Sequence, residues 1–254
     1  MKFETYIPCD ALKPYIKHFV VQETEAESSY KVLPDTGLVV GFQYKGKLSY
    51  IDNGTEVPLA GIGISGLRDR YRVFKNSSNI GSVLVFFKEA GAPYFFRQPL
   101  HEVFNESVSL DNFMLRSELL VLEEKLCEAK TDSAKITVVE KFLLSRLTPA
   151  PPDKLVLAAL ALINKSMGVI KIKDLCLQLH TSQSPLEKRF RAAVGASPKK
   201  YASIVRFKHV LKQHASVNSL TELGYEAGFY DQAHFIKEFK TFTGQTPEDY
   251  FGGG

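Results

Sequence analysis

One phrase is written twice in this chain, and few folds can accommodate it. FRAAVGASPKKY begins at Phe190 and FKTFTGQTPEDY at Phe239. Lys188, Phe190, Arg191, Gly195, Ser197, Pro198 and Tyr201 recur 49 positions later as Lys237, Phe239, Lys240, Gly244, Thr246, Pro247 and Tyr250. Each token has a physical meaning. A Phe late in a helix enters a core. Gly stops that helix with a left-handed cap. Ser-Pro or Thr-Pro opens the next helix, the hydroxyl as N-cap and the Pro at the first helical position. Tyr lies early in that helix and packs back.

Upstream of each Phe the pattern is apolar, two polar, apolar, small: Ile172, Leu175 and Cys176 in the first copy, Leu220, Leu223 and Gly224 in the second. The small residue lets two helices approach closely. A turn is required at His180 and at Gly228, and His tolerates a left-handed backbone better than most residues. A second helix then carries Leu186 or Phe235 on its inner face. Helix, tight turn and crossing helix make a helix-turn-helix unit. PKKYASIVRFKHVLKQHA joins the two units, with Tyr201, Ile204, Val205, Lys208 and Leu211 mostly tracing an apolar face.

With GYEAGFYDQAHFIKEFKTFTGQTPEDY close to its signature, the stretch from about 155 to 251 resembles the DNA-binding domain of the AraC/XylS family of bacterial transcription regulators. The resemblance implies two subdomains bridged by a long helix, each placing a recognition helix in a major groove of double-stranded DNA. It also implies base contacts from Ser184, Glu187 and Lys188 in the first helix, and from Gln232, Ala233 and Lys237 in the second. Gln pairs bidentately with adenine and Lys donates to guanine. Ser182, Arg191 and Lys240 have the chemistry to anchor phosphates. Asp231 joins the DNA-facing set, although an Asp there also reads as a helix N-cap, and His234 reads as structural. Glu187 would repel phosphate unless it accepts from a cytosine amino group. Tyr230 and Gln183 complete the exposed positions, and the KQHASVNSL stretch after the linker helix is short for the family. Leu175, Leu186, Phe190, Ile204, Phe235 and Phe239 are core.

The charge distribution agrees with that reading. Residues 153–251 hold 14 Lys and Arg against 9 Asp and Glu, while the rest of the chain holds 18 against 19. All the excess positive charge therefore lies in the C-terminal part. Cys9, Cys127 and Cys176 are scattered, with no disulfide framework or CxxC pair. The N-terminus lacks the apolar run of a signal peptide and no stretch approaches a membrane span, so a cytoplasmic protein without membrane contact is expected.

TPAPPD, residues 148–153, separates two textures, its prolines stiffening an extended connection. Before it, GLVVGFQYKGKLSYID reads as two strands around a hairpin turn at Lys45-Gly46. IGSVLVFFKEAG reads as a buried strand, and PLAGIGISGL as a strand where backbones pass closely. Leu115, Leu119, Leu122 and Leu126 form one helical stripe and Ile136, Val139, Phe142 and Leu143 a second. Two helices packed on the β region, or a dimer interface, both satisfy that spacing. Many regulators of the resembled family carry an N-terminal cupin-like barrel that binds a small effector. The expectation is an α+β chain in two domains: a cupin-like β-barrel sensor over 1–112, a helical dimerisation or linker segment over 113–152, and an all-α double helix-turn-helix over 153–251. A homodimer is expected.

The rival reading is a metal-dependent cupin enzyme fused to a DNA-binding module. Such sites need two or three His and a carboxylate on neighbouring strands, and only His18 and His101 precede the linker. Cys9 lacks the partners of a zinc-activated thiolate. No catalytic residue, metal or cofactor is expected. Phe42, Tyr44, Tyr50, Phe86 and Phe87 are candidates to fill the barrel or to line an apolar pocket.

Overall fold

A computed structural model describes residues 2–214, 219–229 and 231–252. Tyr230 and residues 215–218 of the KQHASVNSL stretch lie outside the described residues.

The N-terminal half is two facing antiparallel sheets. The larger orders its strands β1 (Lys2–Tyr6), β2 (Ile16–Thr24), β9 (Ile80–Phe87), β4 (Val39–Lys45), β7 (Ile62–Ser65) and β10 (Ser107–Ser109). The smaller orders β3 (Ser28–Val32), β8 (Arg72–Asn76), β5 (Leu48–Asp52) and β6 (Thr55–Pro58). Among the described residues no pairing closes either sheet, so the sheet-rich domain that was expected is present and its closure into a barrel is not shown.

IGSVLVFFKEAG does supply a central strand, β9. The turn at Lys45-Gly46 is a different matter. β4 pairs with β7 and β9, whereas β5 pairs with β6 and β8. The turn is therefore a corner that carries the chain from one sheet to the other. Gly46 has φ +73°, and a Cβ there would lie 2.6 Å from Ile80 Cα, so the corner requires glycine.

Alternation along the larger sheet divides its faces. Val40, Phe42, Val83, Val85 and Phe87 are buried on the side of helices α1 (Arg116–Glu128) and α2 (Asp132–Arg146). Leu119, Leu122, Leu126, Ile136, Val139 and Leu143 meet them, and Phe142 sets its edge 5.9 Å from Phe42. The leucine stripe is thus spent inside the chain and is not available to a second copy. Only Leu115, at the N-cap of α1, leaves it, at 69% exposed. The other face of the sheet looks across at the smaller sheet. There Gln22, Ser82 and Gln43 stand in cross-strand register on β2, β9 and β4. Leu84, Gly41 and Gly63 form the next row, and Phe86, Val39, Ser65 and Ser107 the one beyond.

After the prolines the chain is helical: α3 (Lys154–Lys165), α4 (Ile172–Gln178), α5 (Gln183–Val194), α6 (Pro198–Gln213), α7 (Leu220–Glu226), α8 (Gln232–Thr243) and α9 (Pro247–Gly252). Asp153 caps α3 by accepting from the Val156 amide, and Gly168, at φ +80°, follows its end. Among the described residues no helix is long and apolar enough to cross a membrane.

Candidate nucleic-acid interface

The doubled phrase folds as two copies of one device. Gly195 and Gly244 end α5 and α8 in the left-handed conformation, at φ +94° and +79°. Ser197 then caps α6 through the Lys200 amide, with Pro198 in its first turn. Thr246 takes the Asp249 amide at the start of α9. Tyr201 meets Phe190 edge-on at 5.5 Å, and Tyr250 meets Phe239 edge-on at 5.4 Å. The same two contacts at the same spacing fix how the helix after each recognition helix packs back on it.

The turns inside each unit also correspond. His180 at φ +48° and Gly228 at φ +72° take the left-handed backbone that the sequence requires. In the second unit a Cβ on Gly224 would lie 3.1 Å from the Phe235 ring, so α7 and α8 cross too closely there for a larger residue. The six residues read as core are all buried, none above 2% exposed.

With the inner faces so used, the outer faces follow. Ser182, Ser184, Lys188 and Arg191 are exposed on or just before α5, and Asp231, Gln232, Ala233, Lys237 and Lys240 on or just before α8. Glu187 is half-buried, its carboxylate accepting a 2.9 Å bond from Gln183 one turn earlier. Asp231 caps α8 by accepting from the His234 amide at 2.7 Å, so its carboxylate already has a structural task. His234 sets its ring edge-on to Phe229, 5.5 Å away. Arg189 turns aside to Asp153, with bonds of 2.6 and 2.8 Å that tie α5 to the start of α3.

The second unit is locked to the bridging helix by Arg206. Its guanidinium bonds Glu238 at 2.7 Å and stacks 4.2 Å over the Phe229 ring. Between the units runs a groove of about 980 Å³ whose lining includes Lys171, Lys199, Lys200 and Lys237. Lys171 and Lys199 are exposed. Sequence reasoning missed them because neither lies on a recognition helix. The PKK opening of α6 was the available signal.

The N-terminal half grips both copies of the phrase at equivalent points. Leu100 sits against Gly195, where a Cβ would lie 3.2 Å from its carbonyl oxygen. Tyr71 sits against Gly244, where a Cβ would lie 2.7 Å from its ring. Ion pairs flank these contacts. Asp69 holds Lys200 at 2.6 Å, Asp35 pairs with Lys208, and Lys31 donates to the Thr243 carbonyl at 2.8 Å. Burial pushes the Asp69 carboxyl up, but bonds from Lys200 and Asn105 outweigh it and hold the group below the ordinary carboxylate range. Asp35 is likewise held low, with Lys208 as its main partner against burial.

His18 stacks on Phe86 at 4.6 Å, and His101 lies on a short 3-10 turn, Leu100–Val103. Among the described residues no group of three or more His, Cys, Asp or Glu is placed to hold a metal ion.

Paired, equivalent helix-turn-helix units with outward polar faces define the C-terminal half as a double helix-turn-helix domain. Residues 175–252 match the family model described as a helix-turn-helix domain, and residues 4–109 match a domain of unknown function (DUF6597). The C-terminal match is to a helix-turn-helix domain of the AraC type, and the relatives below are named as HTH-type transcriptional regulators. Over 91% of its length the chain is 26% identical to HTH-type transcriptional regulator SAS0078 of Staphylococcus aureus strain MSSA476, and it spans 33% of that protein. It is also 26% identical to the Msm operon regulatory protein of Streptococcus mutans, over 59% of this chain and 55% of that one. The chain thus spans about a third of the length of the staphylococcal relatives it matches. Among solved structures, ToxT of Vibrio cholerae aligns over 99% of this chain and 98% of its own, with 12% identity and a TM-score of 0.46. The AraC-like activator CuxR aligns over 83% and 81%, with 15% identity and a TM-score of 0.30.

Proposed function

We propose that this protein is a cytoplasmic, non-catalytic transcription regulator that binds double-stranded DNA sequence-specifically and is controlled through its N-terminal half by a small effector. The observation that carries the reading is the equivalence of α5 and α8: same cap, same Phe–Tyr contact, same exposed polar face. In this reading Ser184, Glu187, Lys188, Gln232, Ala233 and Lys237 meet base edges. Ser182, Arg191 and Lys240 lie along the DNA backbone, joined by Lys171 and Lys199, while Asp231 holds the start of α8 at the same face. Residues 1–112 form the cupin-like sensor, 113–152 the helical connection and 153–251 the DNA-binding domain. Control follows from the grip on Gly195 and Gly244: whatever moves the N-terminal half changes the angle between the two reading heads.

A fragment from Asp153 to Phe251 is expected to keep the sequence preference of the full chain and to bind more weakly, since it loses that grip. Its affinity is expected to fall with salt at a log–log slope of ~0.9 per phosphate contact. Selection from random DNA, run on both proteins, reads these outcomes. A folded fragment with no sequence preference would overturn the assignment.

The homodimer is part of the same proposal, carried by a surface other than the buried stripe. Leu120 and Val121, 53% and 49% exposed on α1, offer an apolar face. Sedimentation is expected to give a dimer for the native chain and a folded monomer for Leu120→Asp. A native monomer at micromolar concentration contradicts it.

A further inference from the structure

The cavity between the two sheets has a volume of about 260 Å³. A cavity of ~150 Å³ admits benzene, so this one has room for about ten non-hydrogen atoms. Gly41 on its floor leaves that room, since a Cβ there would meet only the Leu84 side chain, at 3.5 Å. One end carries the row of Gln22, Ser82 and Gln43. The other carries Arg68, which is 8% exposed.

Arg68 is oddly placed for a structural residue. Its guanidinium donates to Ser107 Oγ and lies 5.2 Å from the Phe74 ring centroid, yet its buried Nε has no hydrogen-bond partner. Among the described residues no carboxylate forms an ion pair with it. Glu106 acts on it only from a distance, while the Arg72 charge opposes it. A buried cation ordinarily has a carboxylate partner, because taking a charge out of water without one is strongly unfavourable. Burial, followed by the charge of Arg72, pushes the guanidinium down to about 10.

The geometry points to a binding site for a small amphipathic carboxylate, its charge paired with Arg68 and its apolar body lying over Gly41 and Leu84 toward the row of Gln22, Ser82 and Gln43. This inference deepens the effector reading above and rests on it. Residue placement also connects the site to the DNA-binding half. Asp69, the next residue after Arg68, holds Lys200 of the bridging helix. The polar wall of Gln22 and Gln43 then sets the length and any second polar group that the ligand carries.

Calorimetric titration of the full chain with hexanoate, octanoate and decanoate, each beside its neutral amide, tests the site. At least one carboxylate is expected to bind about tenfold or more tightly than its amide, one charge-assisted pair being sufficient for that ratio. Arg68→Gln is expected to abolish the preference and Arg68→Lys to keep part of it. Gly41→Val, which fills the floor and leaves Arg68 in place, is expected to weaken carboxylate and amide together. A native chain that binds none of these acids saturably, or binds acid and amide alike, overturns the proposal without any variant. A folded Arg68→Gln protein that retains the preference overturns it as well. Sequence preference from random DNA is measured on the same preparation. A chain that keeps this preference yet binds none of the acids saturably overturns the anion site alone, and a native chain without it overturns the regulator reading.

Discussion

Phe239→Ala is expected to destabilise the second helix-turn-helix unit by about 3–5 kcal/mol, the largest single-residue stability effect outside glycine positions. Phe239 is 2% exposed. Its ring lies within 5.3–5.8 Å of those of Phe207, Phe235, Tyr250 and Phe251, so one side chain joins the bridging helix α6, both ends of α8's inner face and the terminal helix α9. Truncation removes the partner of all four and leaves a void that four aromatic rings on three helices have no common way to close. Urea unfolding followed by helical circular dichroism measures the loss. Lys240→Ala, one residue on and exposed, serves as the comparison and is expected within about 0.5 kcal/mol of the native chain. A Phe239→Ala loss below ~1 kcal/mol would mean that the cluster does not carry the unit.

The second large effect is on base preference. Lys188→Ala is expected to relax preference in one half-site and Gln232→Ala in the other, each by ~1–3 kcal/mol for a good bidentate pair. The half-sites are expected ~10 bp apart, one helical turn of about 34 Å, because two heads held on one bridging helix read one face of the duplex. Both side chains point away from the core: Lys188 lies between buried Leu186 and Phe190, and Gln232 opens α8 ahead of buried Phe235. The fold therefore survives each change. Selection from random DNA with each variant locates the lost preference. Loss at the same base pairs for both variants, or at none, would contradict two separate heads.

Much of the C-terminal half was legible because its signals are local. A left-handed glycine, a hydroxyl before Pro, and a Phe with its Tyr eleven residues on each act within one or two helical turns. Writing them twice at one offset turned local rules into a statement about architecture. Even His180, standing where the second copy has Gly228, took the left-handed backbone that the spacing demanded. The sequence also marked the outward faces of α5 and α8 by elimination, once the inner faces were assigned.

The N-terminal half resisted where partners are distant along the chain. Lys45-Gly46 looks like a hairpin turn because a short glycine turn between two apolar runs usually is one, and nothing nearby says that β5 belongs to another sheet. Pairing with β8, more than twenty residues on, decides that. The leucine stripe of α1 declares that it must be buried, not against what. Only the stacking of α1 and α2 on the larger sheet shows that the answer is the chain itself. Arg68 in the run GLRDRYR reads as one solvated charge among several. Its burial beside Ser107 and Phe74, back to back with an Asp69 that reaches the DNA-binding half, exists only once two sheets have closed over it. The sequence by itself determined the helices, the caps and the doubled head. Tertiary structure alone decided which sheet each strand joined, where the cavity lies and how the two halves hold each other, because those depend on long-range burial that no local pattern encodes.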